Sequence, residues 1–199
     1  MTDTFQENRT AGGDHGGRLF VVSAPSGAGK TTLCDAARRC LPNLVYSVSS
    51  TTRAPRDGEQ EGRDYFFVTE AQFREGIDAG QWAEWARVHD NYYGTAARFI
   101  EDHLDAGRDV LLDIDVQGAT QLLGRYPDAV TIFIMAPSME ILRQRITARG
   151  LDSSSVIDKR MKNAEAEIAC RGRYRHVVVN DDLEAAIARF VSILKGRAA

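Results

Sequence analysis

The sequence has little of what marks a membrane-spanning, secreted or nucleic-acid-binding protein. Its 199 residues contain no apolar run long enough to cross a bilayer, and residues 1–17 are polar where a signal peptide would be apolar. The three cysteines form neither a paired framework nor a metal-ligand spacing, which predicts reduced thiols in a cytoplasmic protein. The net charge of -3 provides no overall basic field, so nucleic-acid binding is not expected.

What the chain does contain is typical of a single globular domain. Apolar residues make up 43% and charged residues 27% of the sequence, and this length is enough to bury a core. Residues 1–17 are polar and glycine-rich, which predicts a disordered tail ahead of a domain over residues 18–199.

Short apolar runs alternate with helical patterns along most of the domain. The apolar runs, typical of strands buried on both faces, are 19–22, 110–112, 130–135 and 177–179. Helical periodicity is found over 30–40, 96–106, 139–147, 156–169 and 183–194. This alternation predicts an α/β fold in which helices cover both faces of a parallel sheet.

Two segments interrupt the alternation. Residues 47–94 are polar, aromatic and rich in turns, with 65–68 as the clearest strand, and they look like an insertion in the α/β core. Residues 150–155 form the second interruption, between two helices that carry several arginines.

A glycine-rich turn joins the first strand to the first helix, in the order Ala24-Pro25-Ser26-Gly27-Ala28-Gly29-Lys30-Thr31. This is the Walker A pattern, with Ala24 where glycine is usual. Its glycines let backbone N–H groups surround phosphate oxygens, and the helix N-terminus adds partial positive charge. Lys30 is expected to reach the terminal phosphates and Thr31 to bind Mg²⁺. The motif predicts nucleotide binding on a fold of the P-loop NTPase type.

Further polar residues follow at spacings that suit a second ligand. Arg53 and Arg56 flank Pro55, so two guanidinium groups can point at one phosphate. Asp113 and Asp115 follow an apolar strand, at the edge where active sites of parallel sheets lie. Asp113 fits the position of a carboxylate that supports Mg²⁺. Asp115 competes for that role and is also suited to cap the next helix.

Three strings, Ser49–Arg56, Tyr92–Thr95 and Leu112–Gly118, resemble motifs of the guanylate kinase family, and the resemblance extends from Arg18 to Lys195. It implies transfer of the terminal phosphate of ATP to GMP with Mg²⁺ present. It also implies a core over 18–48, 96–143 and 176–199, a GMP-binding lobe over 49–95 and a lid over 144–175.

Matched motif by motif, the implied functional residues fall into four groups. The GMP phosphate falls to Arg53, Arg56, Tyr65 and Tyr93, the guanine to Ser49, Glu84, Thr95 and Asp115, and the same site includes Glu59 and Gly94. The ATP site comprises Ala24, Pro25, Ser26, Gly27, Ala28, Gly29, Lys30, Thr31, Thr32 and, near the adenine, Asn180. The implied catalytic residues are Lys30, Arg145, Arg149 and Arg160. The implied metal residues are Thr31 and Asp113.

The chemistry of guanine agrees with this assignment. Guanine presents two donor groups, N1–H and N2–H₂, which the carboxylates of Glu84 and Asp115 can accept. Adenine lacks the N2 amino group and would leave buried carboxylates unpaired, at about 1–3 kcal/mol per group.

Two other interpretations carry different functions. The fold of this family also occurs in scaffold domains that recognise phosphorylated peptides, so the chain could be a binding module. The chain could also be a kinase of another small phosphorylated acceptor. Retention of Lys30, Thr31, Asp113 and the lid arginines favours catalysis over the scaffold. The choice between GMP and dGMP, and between a monomer and a homo-oligomer, stays open at this stage.

Overall fold

The computed structural model describes residues 16–88, 90–148, 150 and 153–196, so nearly all of the predicted tail lies outside the described residues. The strands are β1 (Leu19–Ser23), β2 (Val45–Tyr46), β3 (Ser50–Thr51), β4 (Phe66–Phe67), β5 (Trp82–Val88), β6 (Asn91–Ala96), β7 (Val110–Asp113), β8 (Val130–Met135) and β9 (His176–Val179). The α-helices are α1 (Lys30–Cys40), α2 (Glu70–Asp78), α3 (Ala97–Asp105), α4 (Val116–Arg125), α5 (Met139–Ala148), α6 (Ser154–Ala169) and α7 (Leu183–Leu194). A 3₁₀ turn at Cys170–Arg173 follows α6.

The central sheet is parallel, as the sequence predicts. Its five strands run in the order β2-β7-β1-β8-β9, and every neighbouring pair is parallel. Strand β1 lies in the middle, with Phe20 aligned to Leu111 of β7 and to Val130 of β8. All five residues of β1 are buried, which explains why its sequence is a continuous apolar run.

Helices cover both faces of this sheet, which confirms the predicted fold class. Phe20 and Val22 of β1 belong to a core shared with α1, α5, α6 and α7. Leu19 and Val21 belong to a second core, shared with α3 and α4. The split follows from the strand itself, because successive side chains of a strand point to opposite faces.

A second sheet of four strands lies within the polar, aromatic segment. Its order is β4-β3-β6-β5, with β3 parallel to β4 and antiparallel to β6, and with β5 antiparallel to β6. Of the predicted strand at 65–68, only 66–67 is paired as β4. The sequence patterns did not reveal β5, β6 or helix α2.

Helix α2 begins at a capping box and packs against this second sheet. The Thr69 side chain accepts from the backbone N–H of Gln72, and the Gln72 side chain accepts from the Thr69 backbone. The Phe73 ring stacks on the Trp82 ring with 4.2 Å between centroids. The indole N–H of Trp82 also donates to the Phe73 carbonyl at 3.0 Å, so this pair of residues fixes α2 against β5.

A β-bulge interrupts β5 near its start. Trp82 is paired with Ala96 and Glu84 with Thr95, so Ala83 is an extra residue on β5. Ala83 and Glu84 are consequently both buried, although neighbouring residues of a regular strand face opposite sides. Ala83 joins the core shared with α3 and α4, and Glu84 also faces α4, at Gly118, where it lines the candidate site.

Among the residues that the structure describes, no helix combines the length and the apolar character needed to cross a bilayer.

Candidate active site

The glycine-rich turn folds into a loop at the carboxyl end of β1. Gly27 and Gly29 have φ values of 89° and 94°, in the left-handed region that favours glycine. The backbone N–H of Ala28 donates to the Pro25 carbonyl at 3.1 Å. A Cβ on Gly27 would lie 2.8 Å from Ile146 of α5, and one on Gly29 would collide with Asn180. Both glycines are therefore required by the conformation of the loop and by its neighbours.

Helix α1 leaves its N-terminus available to an anion. Gly29 is the N-cap residue, and within the described residues no side chain caps the helix. Its first turn carries no acidic residue and contains Lys30, Thr31 and Thr32. Backbone N–H groups without partners and the helix dipole both favour phosphate at this position.

Lys30 and Asp113 are brought together by the parallel pairing of β1 with β7. Val22 of β1 is aligned with Asp113, so the end of β7 lies beside the start of the loop. The Lys30 ammonium group forms an ion pair with Asp113 Oδ1. The Walker A lysine and the predicted metal carboxylate therefore neutralise each other here.

Tyr46 is a third member of this group that the sequence reasoning missed. Its hydroxyl donates to Asp113 Oδ2 at 3.2 Å, from the end of β2, which pairs with β7. Burial, and then the charge of Asp113, raise the pKa of the Tyr46 hydroxyl, which keeps its proton and remains a donor. Both oxygens of Asp113 are thus fixed by neighbours.

A cavity of about 340 Å³ opens between the two sheets, next to Asp113. Its lining residues are Ser49, Arg53, Arg56, Glu59, Tyr65, Glu84, Ala86, Val88, Tyr93, Gly94, Asp113, Ile114 and Asp115. Every residue assigned to GMP from the sequence is in this lining except Thr95, which is buried behind Glu84. The structure therefore brings the predicted GMP residues together around a space of ligand size.

One end of the cavity is cationic. Arg53 Nη2 donates to Glu59 Oε1 at 2.8 Å, and the Arg56 backbone N–H donates to Glu59 Oε2 at 2.8 Å. The hydrogen bond from Arg53 lowers the pKa of the Glu59 carboxyl, and the same bond raises the pKa of Arg53. The Arg53 guanidinium also lies over the Tyr65 ring, 5.4 Å from its centroid. Glu59 thus supports the Arg53 guanidinium and the Arg56 backbone, and this role suits its charge better than direct contact with a phosphate of like charge.

The other end of the cavity holds two carboxylates. Glu84 is 6% exposed, and its Oε1 accepts from the Thr95 hydroxyl at 2.7 Å. Burial is the main cause that raises the pKa of the Glu84 carboxyl to about 6. Asp115 is the N-cap of α4, and its Oδ1 accepts from the Gly118 N–H at 2.7 Å. The capping role considered from the sequence is therefore present, and Asp115 also lines the cavity.

Arg145 and Asn180 lie behind the phosphate loop. Asn180 is 5% exposed, and its side-chain Nδ2 donates to the Ala28 carbonyl at 2.9 Å. The backbone carbonyl of Asn180 accepts from Arg145 Nη2 at 2.9 Å. Arg145 Nη1 is buried and has no hydrogen-bond partner among the described residues. Arg160 is half-buried on α6, and Arg149 lies outside the described residues.

A larger cleft, of about 800 Å³, lies at the opposite edge of the parallel sheet. Arg18 lines it, but that guanidinium is already bound by Asp109 and by the Leu194 carbonyl. Open α/β sheets bind their ligands at the carboxyl ends of the strands, and this cleft is at the other end. The smaller cavity beside Asp113 is therefore the candidate active site.

Comparison with known proteins identifies the relatives of this chain. A family model described as guanylate kinase matches residues 16–197. The chain belongs to the guanylate kinase family. A guanylate kinase of Dechloromonas aromatica is 50% identical over 171 residues, which cover 86% of this chain and 85% of that protein. One of Thermotoga maritima is 43% identical over 183 residues, which cover 92% of this chain and 88% of that protein.

Solved structures give the same result for the guanylate kinase fold. The crystal structure of guanylate kinase from Anaplasma phagocytophilum aligns with a TM-score of 0.71 and 38% identity, over 90% of this chain and 85% of that one. The crystal structure of TT1252 from Thermus thermophilus aligns with a TM-score of 0.54 at 17% identity, which supports the fold alone.

In this guanylate kinase family member, the sequence also contains indications of two site residues to which the matched motifs assign no role, Tyr46 and Gly118. Tyr46 ends a short apolar run just before the motif that starts at Ser49, and a strand there would reach the same sheet edge as Asp113. Gly118 closes the string that starts at Leu112, and a glycine at the start of a helix suggests a close approach by another group.

Proposed function

We propose that this chain transfers the γ-phosphate of ATP to GMP, giving ADP and GDP. One observation carries the proposal: Asp113 pairs with Lys30 of the phosphate loop and also lines the cavity between the sheets. The site for a nucleoside triphosphate and the site for a second ligand are therefore contiguous. Contiguous sites are what direct transfer between two bound molecules needs.

The cationic end of the cavity suits the phosphate of GMP. Arg53 and Arg56 lie three residues apart, and Glu59 binds the Arg53 guanidinium and the backbone N–H of Arg56. Guanidinium groups bind phosphate through paired N–H donors, and Tyr65 and Tyr93 add hydroxyls at the same end. Neutralising this phosphate also relieves its repulsion from ATP as the two approach.

The carboxylate end of the cavity suits guanine. Glu84 and Asp115 offer acceptors to N1–H and N2–H₂, and Ser49 offers a hydroxyl donor to O6. Thr95 donates to Glu84 Oε1 and so fixes the direction of that carboxylate. A base without the two donors would leave a buried acid unpaired, which is the source of selectivity.

The loop and the helix N-terminus suit the phosphates of ATP. When they bind, Lys30 would leave Asp113 for the phosphate oxygens, and Asp113 would become free for another cation. Thr31 and Asp113 fit Mg²⁺, because hydroxyl and carboxylate oxygens are among its preferred ligands. When bound, Mg²⁺ neutralises charge on the phosphates.

Transfer needs no nucleophile from the protein. An oxygen of the GMP phosphate attacks the γ-phosphorus, the bond from that phosphorus to ADP breaks, and ADP leaves. Lys30, Arg145, Arg149 and Arg160 are proposed to stabilise the charge that spreads over the transferring group. The GMP-binding lobe at 49–95 and the lid at 144–175 are proposed to close and exclude water. The cytoplasmic location is part of the same proposal.

An ADP-release assay with ATP and Mg²⁺ tests this function, with GMP, AMP, CMP and UMP offered in parallel. Turnover with GMP alone is expected, and calorimetry should detect GMP binding to the protein without ATP. Turnover with a different acceptor would replace GMP in the proposal. Folded protein that binds nucleotides but turns over none of them would favour the scaffold.

A further inference from the structure

Gly118 lies between the two carboxylates that face guanine in the proposed function. It is buried in the first turn of α4, and its N–H holds Asp115 Oδ1 at 2.7 Å. Its α-carbon faces Glu84 on β5. A Cβ built on Gly118 would lie 2.7 Å from Glu84 Oε2 and 3.3 Å from Glu84 Cδ. The Glu84 carboxylate therefore occupies the space that any side chain at this position would need.

The Glu84 carboxylate is confined from a second direction as well. Its Oε1 accepts from the Thr95 hydroxyl, and Thr95 is 1% exposed. The carboxylate thus lies between a buried hydroxyl on β6 and a bare α-carbon on α4. An obstacle on either side would change the direction in which its free lone pairs point.

We propose that Gly118 is a positioning residue that determines base specificity. Its N–H orients Asp115, and its missing side chain admits Glu84, so one residue sets both acceptors. This inference rests on the proposed function, because the two carboxylates matter only when guanine is the base. A methyl group at this position would displace the flexible end of Glu84 rather than the backbone, so recognition would suffer before folding does.

The backbone at Gly118 does not itself require glycine. Its φ is outside the left-handed region, whereas the phosphate-loop glycines have positive φ. Alanine is also the better helix former, so in a helix without a close neighbour it would be neutral or stabilising. Gly124 of the same helix meets that description, since a Cβ there would have nothing within 4 Å. The chain therefore supplies its own matched control.

The test compares Gly118→Ala with Gly124→Ala in the full chain. For Gly118→Ala, we expect the KM for GMP to rise roughly 10- to 100-fold, as for the loss of hydrogen bonds to a charged group. The KM for ATP should not change. The preference for GMP over inosine monophosphate should narrow, because the latter lacks the 2-amino group that the carboxylates would read. Gly124→Ala should leave all three quantities unchanged.

A second pair of variants tests whether Gly118 acts through Glu84. Glu84→Asp withdraws the carboxylate by one methylene and removes the collision, so Gly118→Ala should cost much less affinity in that background. If Gly118→Ala alone lowers the Tm, the double variant should recover it. Calorimetry with GMP gives the same comparison without turnover, so a chain that binds GMP but fails as a kinase still tests the inference. Equal GMP affinity in the two alanine variants, or independent effects of the substitutions at 118 and 84, would overturn it.

Discussion

The phosphate loop takes its shape mainly from backbone conformation, with one distant side chain, Asn180, bound to the Ala28 carbonyl, whereas the cavity beside it depends on how two carboxylate side chains are oriented. In the loop, a hydrogen bond between Ala28 and Pro25 and two glycines of positive φ set the shape. In the cavity, Thr95 orients Glu84 and Gly118 orients Asp115. The first design sets the backbone around the proposed ATP phosphates, so substitutions there should affect phosphoryl transfer more than GMP binding. The second depends on side-chain direction, so substitutions there should affect one ligand at a time.

Replacing Lys30 should have the largest effect, because it removes the main cation of the loop. We expect Lys30→Ala to lower kcat about 100- to 1000-fold, the usual loss for one group that stabilises developing charge. GMP binding measured by calorimetry should change little. Lys195→Ala is the control, because Lys195 is exposed at the opposite edge of the sheet. Full turnover by Lys30→Ala would contradict the assignment of the loop.

Replacing Arg53 should impair the cavity rather than the phosphate loop, and so lower the affinity for GMP. We expect Arg53→Ala to raise the KM for GMP about 10- to 100-fold with little change in the KM for ATP, because it removes a charged donor to the acceptor phosphate. Glu59→Gln should act in the same direction but more weakly, since it loosens the Arg53 side chain without removing it. Arg74→Ala, on the exposed face of α2, is the matched control. Equal effects on both KM values would show that Arg53 does not belong to the acceptor site.

Acidification should weaken GMP binding through Glu84. The pKa of its carboxyl is raised to about 6, so below that pH it protonates and loses an acceptor for the guanine donors. We expect the KM for GMP to rise as pH falls through this value. The GMP phosphate also titrates near pH 6. Glu84→Gln separates the two, because only the contribution of the phosphate survives in that variant.

The same group should affect stability in the opposite direction. The pKa of Glu84 is higher in the folded chain than its ordinary 4.5, so the folded state binds this proton more tightly. Its contribution to stability is therefore greatest at low pH and falls as pH rises from about 4.5 to about 6. The difference is on the order of 2 kcal/mol. Denaturant titrations across this pH window should show that the free energy of unfolding depends on pH differently in the parent and in Glu84→Gln. Parallel plots of that free energy against pH would contradict the raised pKa of Glu84.

Replacing Tyr46 should have the smallest effect. It tests the place where the phosphate loop and the cavity meet, because Tyr46 binds Asp113. Tyr46→Phe removes only the 3.2 Å hydrogen bond to Asp113. We expect kcat to fall about 2- to 5-fold, a small loss for one hydrogen bond because the distance is long, with the KM for GMP unchanged. Binding of Mn²⁺ in the presence of ATP, followed by electron paramagnetic resonance, should weaken by a similar factor. Unchanged metal binding would show that Tyr46 does not position Asp113.

The sequence predicted the local half of this architecture well. The strand at 19–22, the glycine turn and the helix at 30–40 follow one another, so periodicity and turn chemistry were enough to place them. The parallel sheet could also be predicted, because continuous apolar runs between helices have few other solutions.

The rest depended on contacts that no local pattern records. Tyr46 reaches a partner 67 positions away, and Asn180 reaches the loop over 152 positions. Strand β5 was missed because its residues do not alternate between apolar and polar, and a bulge interrupts it near its start. The grouping of Glu84 with Asp115 came from the family resemblance, since nothing in their spacing shows that β5 and α4 meet.

The bulge at Ala83 makes irregularity a condition of selectivity. Deleting this residue would give β5 an unbroken ladder with β6 and a better-formed sheet. The same deletion would leave one inward position where the chain now needs two, so the core and the base-reading acid would compete for it. A variant selected only for a more regular, more stable sheet would therefore be expected to become a less discriminating enzyme.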